Sequence, residues 1–159
     1  MRIYKFGGAS VKDAQAVKNV FEILQNEDQK NLLVVISAMG KTTNALEEVW
    51  KAYLNNDIEL SIKVEIVKTY HQNMISELFG SIKNDITDEV NNLFVELEWI
   101  LEEEPDENKD FIYDQIVSLG ELLSTRIVEA FLRASGLKTK WVDARSYLKS
   151  DNQYREAGI

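Results

Sequence analysis

Apolar positions along the chain change their period several times, and each change marks an element. Ile3-Tyr4-Lys5-Phe6 is a short β-prone run stopped by Gly7-Gly8. Val11, Ala14, Val17, Phe21 and Leu24 then recur at helical spacing and predict a helix from about residue 11 to 26, with Ser10 as its N-cap and Asp13 reaching back. Leu32-Leu33-Val34-Val35-Ile36 is unbroken aliphatic sequence, the mark of a strand buried on both faces in a parallel sheet. Helical periods return over about 43–54, 59–78, 86–101 and 110–134. The second of these runs through Ile62, Ile66, Val67, Tyr70 and Met74, and the last is read as one long helix stopped by Gly136. Lys138-Thr139-Lys140-Trp141-Val142 reads as a third strand. Strands joined by helices predict a helix-rich α/β fold, a parallel sheet with helices on both faces. Three strands are few for a complete doubly wound sheet, so residues 1–159 are read as one domain or one incomplete lobe.

Composition narrows the chemistry. With no cysteine and one histidine, a disulfide scaffold, a thiolate zinc site and a cysteine nucleophile are excluded. The net charge of −9 disfavours nucleic acid and anionic lipid as partners. No apolar run is long enough for a transmembrane helix, and the first residues carry no apolar leader, so the expected location is cytoplasmic. His71 lies in a polar helical stretch and is read as exposed; Trp50, Trp99 and Trp141 are assigned to packing.

The candidate chemistry lies in loops that follow strands. Lys5-Phe6-Gly7-Gly8-Ala9-Ser10 joins a strand to a helix, where glycines admit a ligand close to the backbone and a helix start offers N–H groups to an anion. Positions 7–12 do not supply a dinucleotide fingerprint. Gly40-Lys41-Thr42 lacks the upstream glycine of a Walker loop, because Val35 stands there. Ser37 to Asn44 follows the second strand and would lie at the same sheet edge. Gly120 interrupts an apolar helix at a cost of about 1 kcal/mol relative to alanine, as close approach of a backbone or ligand would require. Ser118, Glu121 and Thr125 form a polar stripe beside it, and Glu121 could take an amino group. Asp143-Ala144-Arg145 ends the third predicted strand, as a loop salt bridge or a positioning pair, and Asp151 follows.

Together these loops resemble the aspartokinases of the amino-acid kinase family, in four motifs that occur in the same order and span the chain. Lys5-Phe6-Gly7-Gly8-Ala9-Ser10-Val11 is similar to the family's Lys-Phe-Gly-Gly-Thr-Ser-Val. Ser37-Ala38-Met39-Gly40-Lys41-Thr42-Thr43-Asn44 matches its second loop, Ser118 to Ser124 its Ser-x-Gly-Glu-x-x-Ser, and Asp143-Ala144-Arg145 with Ser150-Asp151 its Asp-Ala-Arg and Thr-Asp. The resemblance implies ATP- and Mg²⁺-dependent phosphorylation of the L-aspartate β-carboxylate, towards lysine, threonine and methionine. By position it implies that Lys5 stabilises the transferring phosphoryl group, that Gly7, Gly8 and Ser10 cradle phosphates, that Thr43 and Glu121 hold aspartate, and that Ser37 lines the pocket. No protein metal ligand is assigned.

Ala9 and Ser150 stand where the family has threonine. The family's nucleotide-base half and regulatory domains are expected to lie outside these residues, so the segment alone is expected to be inactive. A second reading stays open, a non-catalytic aspartate- or anion-binding module acting with a partner chain. An unpaired sheet edge further predicts self-association into a homo-oligomer.

Overall fold

The structure, a computed structural model, describes residues 1–28, 30–80, 84–149, 151, 154 and 155. Two strands, β1 (Arg2–Phe6) and β2 (Leu32–Ile36), pair in parallel with Lys5 opposite Val35 and Phe6 opposite Ile36. Among the described residues six α-helices surround one core: α1 (Ala14–Gln25), α2 (Thr42–Leu54), α3 (Leu60–Phe79), α4 (Ile86–Glu102), α5 (Lys109–Val117) and α6 (Leu119–Ala134). The expected helix-rich, parallel α/β class is what forms.

Several local expectations change. Burial alternates along both strands: Tyr4, Phe6, Leu32, Val34 and Ile36 pack against the core, whereas Ile3, Leu33 and Val35 are 60, 41 and 41% exposed. An aliphatic run reports β propensity on both faces even where a single face is covered. Residues 138–142 join no sheet among the described residues. Side chains fix this segment instead: Thr139 Oγ1 donates to Glu129 Oε1 at 2.7 Å, and the Trp141 indole donates to Thr125 Oγ1 at 3.0 Å. The long helix breaks at Ser118 into α5 and α6.

On α3 the buried face is Val64, Val67, His71, Met74, Ile75 and Leu78, while Ile62 and Ile66 face solvent. His71 is therefore buried, its ring edge-on to Tyr70 and tilted against Phe94. Its Nδ1 lies 2.8 Å from the Val67 carbonyl and its Nε2 has no partner. Burial pushes its pKa down to about 4, against a smaller upward pull from the Val67 carbonyl, so the ring is neutral at pH 7. The α3 sequence carries aliphatic residues on two faces, and a single period could not choose between them.

Candidate phosphate and substrate site

Both glycine-bearing loops leave the carboxyl ends of β1 and β2, the edge where parallel α/β sheets bind ligands. The Ser37 N–H donates to the Phe6 carbonyl at 3.0 Å, and the Gly40 N–H donates to the Gly8 carbonyl at 3.0 Å. These bonds carry the strand pairing forward into the loops. Gly8 makes the approach possible: a Cβ there would sit 2.7 Å from the Ala38 carbonyl oxygen and 2.9 Å from that of Gly40. Gly40 itself has φ +54°, a left-handed geometry that glycine adopts at low cost.

Gly7 differs, with nothing within 4 Å of where its Cβ would be. No backbone acceptor among the described residues takes the N–H of Gly7 or Gly8. Open space and free donors are what a phosphate oxygen requires. Residues Gly8–Val11 form a 3₁₀ turn in which the Ser10 N–H is held by the Gly7 carbonyl at 2.8 Å. Ser10 is thus not the cap of α1. Asp13 caps that helix, accepting from the Ala16 N–H at 2.8 Å, and its carboxylate occupies the positive end of α1. Lys5, two residues before Gly7, projects to the exposed face and makes no ion pair among the described residues.

The third motif meets the second loop. Glu121 lies in the first turn of α6, and its Oε1 accepts from the Ala38 N–H at a long 3.4 Å. One turn on, the buried Ser124 Oγ donates to the Ser37 carbonyl at 2.7 Å. Gly120 lets α6 come this close: a Cβ there would lie 3.1 Å from Ala38 Cβ and 3.3 Å from both Leu46 Cδ1 and Thr42 Cγ2. Neither threonine caps α2 by its side chain. Thr43 is half-buried in the first turn, and Thr42 is buried with Oγ1 unpartnered. Ser124 was visible in the sequence only as the last position of a motif; its bond to Ser37 carried no local signal.

A cleft of about 680 Å³ opens on the Glu121 side, lined among others by Glu96, Ser118, Glu121, Arg145 and Asp151. Arg145 is held by Asp143, with Nε and Nη2 at 2.7 to 3.1 Å from its two carboxylate oxygens. That pairing lowers the Asp143 pKa and raises that of Arg145. Lys5 and the glycines do not line this cleft. Ser150 lies outside the described residues. The structure therefore joins the first loop to the second and the second to α6, with Arg145, held by Asp143, lining the cleft beside Glu121.

Known proteins resemble this chain in sequence and in fold. The chain is similar to bifunctional aspartokinase/homoserine dehydrogenase 2 of Escherichia coli, 28% identical over 151 residues that cover 94% of this chain and 18% of that protein. Aspartokinase 1, chloroplastic, of Arabidopsis thaliana is 32% identical over 148 residues, covering 89% and 25%. Aspartokinase of Chlamydia trachomatis is 28% identical over 155 residues, covering 98% and 33%. The chain thus spans a third or less of the length of these relatives. Among solved structures, E. coli aspartokinase III in complex with aspartate and ADP superposes with TM-score 0.85 at 25% identity, over 99% of this chain and 34% of that one. Its complex with lysine and aspartate gives the same TM-score at 24% identity. The sequence profile of the amino acid kinase family matches residues 1–158. That match spans nearly the whole chain, and the chain belongs to the amino acid kinase family.

Proposed function

We propose that this chain forms the phosphate-loop and aspartate-binding part of an aspartate kinase, which transfers the γ-phosphoryl group of ATP to the β-carboxylate of L-aspartate. The observation that carries the reading is the junction of three motifs, where Gly8 packs on Gly40 and Glu121 reaches Ala38. Lys5 neutralises charge on the transferring group as a carboxylate oxygen attacks phosphorus and ADP departs. Gly7, Gly8 and Ser10 receive phosphate oxygens, Glu121 takes the ammonium of aspartate, Thr43 binds its carboxylate, and Ser37 lines the pocket. Mg²⁺ would enter with the nucleotide: no three acidic or histidine side chains converge as a metal cage among the described residues, and no step is assigned through it. A cytoplasmic, homo-oligomeric enzyme accompanies this reading.

The test has two arms. The 159-residue chain is expected to bind L-aspartate in a calorimetric titration, with Glu121→Gln weaker by roughly tenfold or more, as loss of a charge-assisted hydrogen bond implies. The same chain is expected to yield no hydroxylamine-trapped aspartyl phosphate from ATP. Failure to bind L-aspartate overturns the substrate assignment, and a hydroxamate product overturns the claim of an inactive segment.

A further inference from the structure

Helix α3 lies outside the loops and outside the motifs that mark them, yet one of its side chains touches both. Tyr70 Oη donates to the carbonyl of Lys12, at the end of the first loop, at 2.6 Å. The same oxygen lies 2.9 Å from where a Cβ of Gly40 would stand, so the missing side chain at the second loop is the room the phenol occupies. The Gly40 N–H in turn is bonded to Gly8. One hydroxyl thus sits at the point where the loops are sewn together, and the helix that carries it is anchored in the core through Val67, His71 and Met74.

We propose that Tyr70 is a positioning residue of the phosphate cradle, setting the separation of the two loops through Lys12 and Gly40 without touching the ligand. The inference rests on the phosphate reading of the first loop. Burial, with a smaller contribution from Asp13, raises the phenol pKa, so the hydroxyl remains a donor throughout the neutral range. Removal of this one oxygen leaves the ring on α3 and releases the loops from it.

The experiment compares the parent chain with Tyr70→Phe by amide hydrogen exchange and by titration with inorganic tripolyphosphate followed by NMR. The Gly40 amide is expected to exchange roughly tenfold faster in the variant while those of Val67 and Met74 keep their rates, the signature of a local opening. Tripolyphosphate is expected to bind roughly threefold or more weakly, since a cradle out of register loses donors together. Unchanged Gly40 exchange with unchanged affinity overturns the assignment. Uniform acceleration at Gly40, Val67 and Met74 makes Tyr70 a general stabiliser and overturns it as well. A parent chain that ignores tripolyphosphate refutes the phosphate reading itself and this inference with it.

Discussion

Two adjacent glycines in the first loop obey opposite constraints. At Gly8 a methyl group would strike two backbone carbonyl oxygens, neither of which can rotate away. Gly8→Ala is expected to cost about 1–3 kcal/mol, the range for forced overpacking, measured by urea unfolding. At Gly7 φ is −77° and the space is empty, so Gly7→Ala is expected to stay within about 1 kcal/mol of the parent. If Gly7 faces phosphate, the same substitution weakens tripolyphosphate binding while leaving the melting temperature near its parent value. His71 yields a prediction of opposite kind. Its pKa is lower in the folded chain, about 4 against 6.5, so its contribution to stability is complete above pH 6.5. That contribution is lost as pH falls from 6.5 to 4, where the unfolded chain takes up a proton that the native one refuses, a loss of roughly 3 kcal/mol. Urea unfolding at pH 7 and pH 4.5 is expected to show a smaller drop for His71→Leu than for the parent. An equal drop would mean that carboxylates alone govern the acid side.

Among the elements, α6 carries the heaviest duty. Its Gly120 admits the second loop, its Glu121 meets Ala38, and its Ser124 holds Ser37 from below. Ser124→Ala leaves the Ser37 carbonyl without its donor and is expected to cost about 1–3 kcal/mol, read from chemical denaturation. Much of this element map follows from period alone: the spans of α2, α3 and α4 fall within a residue or two of their predicted limits. Where the sequence was silent, the reason is tertiary. Asp13 rather than Ser10 caps α1 because the glycines open a 3₁₀ turn first, which delays the helix. Residues 138–142 have strand composition, but a strand exists only against a partner, and here Trp141 is tied to α6. The glycine motifs were legible as loops; that Gly8 and Gly40 face one another depends on strand pairing, which no local window contains.

For the molecule as a whole, the sheet is the unequal part. One face is packed, and the other presents Ile3, Leu33 and Val35 in register on neighbouring strands. Contiguous apolar surface of this kind promotes association. Sedimentation velocity at rising concentration is expected to show self-association of the 159-residue chain, reduced by the double substitution Leu33→Ser and Val35→Ser. A parent that stays monomeric at high concentration would contradict this. Ile62 and Ile66 on α3, with Ile58 just before that helix, form a second exposed apolar region, and the double variant tests whether the sheet dominates.

Trp141 gives the molecule an optical reporter. The guanidinium of Arg126 lies 3.5 Å from its ring centroid, and its indole bonds to Thr125, whose hydroxyl is bonded to the Glu121 carbonyl. Trp99, by contrast, is 65% exposed on α4 and open to iodide. With the Trp99 signal quenched and Trp50 replaced in a Trp50→Phe background, movement of α6 at Glu121 would register as a change in emission from Trp141.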